Sequence, residues 1–266
     1  MRSAWRLFVL IVLGGIALQL YFVARIALMT VVNPQSTTFQ RSEMFRLARD
    51  KHQVLWSQEW RPYNEISDNL KRAVIASEDA NFVDHSGVEW EALRNAWKRN
   101  NQAQVKVDRA RAQAQARHER ALERAKARGR KMPEPPARAL AATPKVIGGS
   151  TITQQLAKNL FLSGERNFLR KGQEFAITFM LEGLLGKERI LGIYLNNVEW
   201  GEGVFGAQAA ARHYFHVDAS QLSATPAGRL AVMLPAPKRF EKNPQSGYVA
   251  GRGATIAARL LGVELP

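Results

Sequence analysis

Gly148-Gly149-Ser150-Thr151-Ile152-Thr153-Gln154-Gln155-Leu156-Ala157-Lys158-Asn159 runs two glycines into a patterned segment. Thr151, Gln154, Gln155 and Lys158 stand at i, i+3, i+4 and i+7, while Ile152, Leu156 and Leu160 fall on another face, which is the pattern of an amphipathic helix. Beyond it the chain continues in the same period. Ser150 to Leu162, Phe168 to Leu185, Lys187 to Asn196, Val204 to Phe215, Pro226 to Leu234 and Tyr248 to Leu261 are expected helices, with Pro226 just inside one start and Pro235 at its stop. No convincing strand alternation interrupts them, so an all-α domain is expected.

Working upstream, Ile66, Leu70, Val74 and Ser77 recur at helical spacing behind Ser67 and Asp68, and that helix delivers Glu78 and Asp79 at its end. Between these two helices lies a change of composition. Lys98 to Lys145 holds 14 Lys or Arg against 4 Asp or Glu, a net +10 of the chain's +15. Its centre, Arg109 to Lys131, is rich in helix formers and poor in large apolar residues, which predicts a solvated helix or disordered arm ended by Pro133, Pro135 and Pro136. Its charge suits anionic lipid. Without aromatics to stack on bases, it makes a poor nucleic-acid arm.

At the N-terminus Leu7 to Ala24 is an uncharged, mostly apolar run of 18 residues, continued after Arg25 by Ile26 to Val32. That length spans a bilayer and exceeds the roughly 7–15 residues of a signal-peptide core. Arg2 and Arg6 precede it, so the positive-inside rule places residues 1–6 in the cytoplasm, a retained anchor at 7–32 and the rest outside. A membrane-proximal segment, 33–63, follows, with Trp56 and Trp60 suited to a headgroup boundary. The catalytic domain is then expected at 64–266, with the basic insertion at about 98–145. The chain has no cysteine, which excludes disulfides, thiolate nucleophiles and cysteine-ligated zinc.

Glu78-Asp79, followed by Phe82 and His85, is the best candidate for proton chemistry, because adjacent like charges and partial burial both raise a carboxyl pKa toward that of a working base. A plain acidic helix end would look the same. The polar stripe of Thr151, Gln155 and Lys158 fits a cleft wall or a surface helix; the glycines before it favour a cleft by permitting close approach of an anion. Arg170 and Glu174 stand at i, i+4 beside Lys171, a spacing that by itself only supports a helix. His213 and His216 lack a third ligand in pattern and make a weak metal site.

Taken together, these motifs resemble the family-51 glycosyltransferases, the transglycosylase modules that build peptidoglycan. The match runs through Arg72 to Asp79 with Phe82, His85 and Gly87; Gly148 to Asn159; Arg170-Lys171 with Glu174; Lys187 to Leu191 before Tyr194-Leu195-Asn196; Gly201 to Gly206; and Leu234 to Pro237. No Ser-x-x-Lys occurs, so the transpeptidase module that often accompanies this domain is not expected. The resemblance implies a lysozyme-like, two-lobed helical fold that polymerises lipid II into β(1→4)-linked strands with inversion. It implies Glu78 as general base and Glu174 as a second catalytic carboxylate. Asp79, Phe82, His85, Thr151, Gln155, Lys158, Asn159, Arg170 and Lys171 are implied as substrate-binding. No cofactor is obligatory, and a divalent cation such as Mg2+ is expected, if anywhere, at Glu174. Implied partners are lipid II, the growing glycan strand, membrane lipids and cell-wall synthesis or division proteins, with no nucleic acid. The implied location is the bacterial inner membrane. A lysozyme-like hydrolase is the nearest rival, since it shares a fold and a catalytic glutamate.

Overall fold

The computed structural model describes residues 2–144, 148–162 and 168–266. The chain forms two compact units, Met1–Val88 with Thr151–Pro266, and Glu89–Ser150. The first opens with α1, Arg2–Leu28, whose 27 residues make it about 40 Å long against a bilayer core of about 30 Å. It is long and apolar enough to cross a membrane. Side chains such as Leu10 and Ile11 stay exposed, while Phe22, Ile26 and Met29 near its end are buried against protein. Helix α2, Thr38–Lys51, follows within the membrane-proximal segment; Thr37 starts it with a capping box closed by Gln40. Next comes α3, Asp68–Glu78, capped by Ser67 as expected and burying Leu70, Ala73, Val74 and Ile75.

The second unit is built on α4, Trp90–Ala127, one continuous helix of 38 residues. The basic stretch is therefore a solvated helix through Ala127, and it begins before Lys98 because Trp90 to Trp97 continues the same pattern. A short turn of helix, α5, Ala137–Leu140, follows the prolines.

In the first unit the chain resumes with α6, Ile152–Phe161, and α7, Phe168–Leu184, which pack on each other, and α8, Lys187–Asn197. Helix α6 starts two residues later than expected because Thr151 is its N-cap. Phe22 of α1 meets Phe161 edge-on at 5.3 Å, and Gln19 and Gln173 exchange hydrogen bonds of 2.8 and 3.0 Å, tying the anchor to α6 and α7.

One expectation is corrected after α8. Val204 opens a strand rather than a helix: β1, Glu199–Gly201, pairs antiparallel with β2, Val204–Phe205. Gly203 turns the hairpin at φ +75°, and a Cβ there would lie 2.5 Å from the Leu55 carbonyl. The remaining helices are α9, Ala207–Phe215; α10, Ala224–Met233; a short α11, Pro237–Phe240; and α12, Gly247–Ala257. Apart from that hairpin and an isolated bridge from Ser57 to Val204, the described residues are helical or irregular, in keeping with an all-α reading. Trp200, fully buried, donates its indole N–H to the Leu230 carbonyl at 3.1 Å and fixes the hairpin to α10.

Candidate active site

Glu78 is the last residue of α3, and Asp79 caps the end of that helix. Their side chains part company there. Asp79 is 4% exposed; its Oδ2 accepts the Ile152 N–H at 2.9 Å and its Oδ1 meets His85 Nε2 at 2.8 Å. One of the free N–H groups at the start of α6 is thus satisfied by the residue next to Glu78. His85 Nδ1 accepts the Gly87 N–H at 3.1 Å, which assigns the ring hydrogen to Nε2 and the donated bond to Asp79. The Thr151 hydroxyl donates to the Gly87 carbonyl at 2.6 Å while accepting the Gln154 N–H at 3.1 Å. The loop between α3 and α4 and the start of α6 are therefore bound together through five residues.

Three residues expected to contact substrate are engaged with protein in this arrangement. Phe82 is fully buried, packed edge-on to His85 with Lys187 Nζ 4.5 Å from its ring centre, and offers no surface to a ligand. Asp79 and Thr151 are buried with their oxygens committed to protein partners. They hold the site's frame. Lys187 adds to that frame, donating to the His85 carbonyl at 2.5 Å and to Glu182 at 3.0 Å, and Glu182 also accepts from Thr153. Neither Lys187 nor Glu182 was singled out for a role from sequence; an acid and a base at i, i+5 carry no signal by spacing alone.

Glu78 remains partly open. Gln155 Nε2 donates to its Oε2 at 2.9 Å, and Gln155 Oε1 accepts the Tyr194 hydroxyl at 2.9 Å. This chain fixes which way the amide points: an ionised carboxylate can only accept, so the NH2 faces Glu78 and the Gln155 carbonyl oxygen is left to accept the Tyr194 hydroxyl. Burial pushes the Glu78 carboxyl above its ordinary 4.5, the Gln155 bond opposes this, and the charge of Asp79 adds to it. Tyr194 is driven well above 10 by burial and by the charges of Glu78 and Asp79, so it stays a donor. Tyr194 too was given no role from sequence; its signal was the motif around it, not its periodicity.

Lys158 stands one turn past Gln155 on α6 and is exposed, with Asn159 beside it half-buried. Helix α7, packed on α6, carries the rest of the cations. Arg170 Nη1 donates to Glu174 Oε2 at 3.1 Å, and Lys171 Nζ pairs with the other carboxylate oxygen. Glu174 is 4% exposed. The i, i+4 pair is thus present, extended to a three-residue cluster. A metal ion fits poorly here: both Glu174 oxygens already face cations, and the described residues hold no group of three or more His, Asp or Glu side chains able to take one.

A family model described as Transglycosylase matches residues 48–111 and 136–261. The chain belongs to the transglycosylase family. Between the two matched stretches, residues 112–135 hold the last part of the basic helix and the first of the prolines after it. Curated relatives bear the name biosynthetic peptidoglycan transglycosylase. One from Cupriavidus metallidurans is 48% identical over 264 residues, covering 96% of this chain and 95% of the relative. Others from Burkholderia thailandensis, 48% identical over 94% of this chain and 83% of the relative, and Paraburkholderia xenovorans, 46% identical over 96% and 90%, are similar. Family membership brings the lysozyme-like helical fold with it, in agreement with the helices around Glu78.

Proposed function

We propose that this transglycosylase polymerises lipid II, moving the growing glycan from its lipid diphosphate to the sugar 4-hydroxyl of an incoming lipid-linked disaccharide-pentapeptide. The observation that carries this reading is the Glu78 carboxylate, aimed by Gln155 and Tyr194 and raised in pKa by burial. Inversion needs a base on the acceptor hydroxyl as its oxygen attacks the anomeric carbon from the face opposite the leaving group. Glu78 takes that proton, the C–O bond forms, and the bond to the diphosphate breaks with its electron pair going to the phosphate oxygen. The leaving group is an anion, so it needs positive charge more than a proton. Lys158, Arg170 and Lys171 supply it, with Glu174 holding the latter two cations in place.

Both substrates are lipid-borne, and α1 keeps the enzyme on the same surface, raising their effective concentration. We place the anchor in the bacterial cytoplasmic membrane with the N-terminus inside and Glu78 on the outer side, because Arg2 and Arg6 precede the apolar run. The test is incubation of the purified protein with lipid II, with and without the phosphoglycolipid moenomycin, alongside incubation with finished glycan polymer. Moenomycin-sensitive growth of polymer is expected. Cleavage of the finished polymer without synthesis would make the protein a hydrolase and overturn the reading.

A further inference from the structure

We infer that the outer end of the anchor carries a binding site for the phosphodiester headgroup of an anionic membrane lipid, formed by Arg25 and Arg41. The inference rests on reading α1 as a membrane anchor and is independent of the reaction at Glu78.

A cavity of about 360 Å³ lies where α1 ends and α2 begins, lined among others by Arg25, Leu28, Met29, Val32, Ser36 and Arg41. Connectivity fixes its depth. Leu28 ends the apolar helix, so on the reading of α1 as an anchor the cavity falls near the boundary between acyl chains and headgroups, and its lining combines apolar Leu28 and Val32 with two arginines.

An arginine in the last turn of a helix commonly bonds the free carbonyls there. Here the Ile26, Ala27 and Leu28 carbonyls accept the backbone N–H groups of Met29 to Val32, and the next carbonyls go to Arg189 of α8, which donates to Met29 at 2.7 Å and to Val32 at 3.2 Å. Arg25 is exposed, and among the described residues it forms no ion pair. Arg41 donates to Ser36 and to the Thr38 hydroxyl, which are neutral acceptors that orient its guanidinium without neutralising it. No carboxylate lines the cavity.

The position of Arg41 is unfavourable on its own, whereas Arg25, in the last turn of α1, stands at the helix end that favours cations. Arg41 stands in the first turn of α2, the positive end of its dipole, where acids are preferred. The outer flank of an anchor is also the side that the positive-inside rule leaves poor in arginine. A phosphate between the two guanidinium groups relieves both conditions, and the guanidinium fork matches its oxygens. Acyl chains would then continue along Leu28 and Val32.

The experiment uses the full chain in a neutral maltoside with phosphatidylglycerol and phosphatidylcholine at equal mole fraction, and native mass spectrometry reads the lipid retained. Phosphatidylglycerol should be retained about tenfold over phosphatidylcholine, the scale expected of charge-assisted bonds to one phosphate. Arg41→Gln, which lies outside the anchor and leaves its insertion untouched, should cut the preference, and R25Q with R41Q should abolish it. Equal retention of the two lipids, or a preference unchanged in the double variant, overturns the site. So does retention of an added polyprenyl diphosphate in place of phosphatidylglycerol, which would give the cavity to the carrier lipid. Alkaline carbonate extraction of vesicles separates the two claims: release of the chain overturns anchor and site together, whereas an integral chain without lipid preference overturns the site alone.

Discussion

Glu78 owes its chemistry to two neighbours that pull its pKa in opposite directions. Burial raises it first, Asp79 adds to the rise, and the Gln155 hydrogen bond resists. A base works as the carboxylate, so activity rises with pH as Glu78 loses its proton, and this limb lies above the ordinary 4.5. Replacing Gln155 with Leu removes the one bond that favours the charged form. The acid limb of the kcat/KM profile should then move to higher pH while the plateau above it falls less, and an unmoved limb would remove Gln155 from the site. Glu78-Asp79 was recognisable in sequence as a pair of acids ending a helix. Spacing alone did not say which of the two does chemistry, and only the resemblance pointed to Glu78, because the division depends on Asp79 turning back to the Ile152 N–H across 73 positions of chain.

The segment from Asp79 to Gly87 works as a fastener between α3 and α6. The resemblance implied Phe82, His85 and Thr151 as ligand contacts. In the structure His85 and Thr151 hold backbone and Phe82 packs against His85, since a loop that brings two helix ends together must satisfy its own donors and acceptors. Gly87 is the tightest point of this fastener. Its φ is +86°, and a Cβ would lie 2.8 Å from both the Glu182 and Thr178 side chains. Gly87→Ala should therefore lower stability by about 1–3 kcal/mol through backbone strain and the clash. A thermal unfolding midpoint equal to that of the unaltered protein would contradict this. The helices themselves were readable: α3, α7 and α8 begin or end within a few residues of their apolar periodicity. The β1–β2 hairpin was not, because two and three residues give no alternation to detect and the Gly203 turn depends on the approach of Leu55.

The whole chain joins an anchor, a catalytic unit that contains every residue assigned to the reaction, and a second unit built on a basic helix. The charge run marked that helix in sequence, and its last part lies between the two stretches of the family match, within 112–135. Deleting Arg109 to Lys131 should leave polymerisation of detergent-solubilised lipid II within about twofold, because every residue assigned to the reaction belongs to the other unit. Complete inactivity of a folded deletion would make the basic helix part of the catalytic apparatus. The account stands or falls on one carboxylate. Glu78→Gln keeps the shape of the side chain and removes its capacity to take a proton, so polymer formed from purified lipid II should fall by about 100-fold or more while donor binding persists. Glycan synthesis at a near-normal rate by that variant would contradict the assignment of Glu78 as the base.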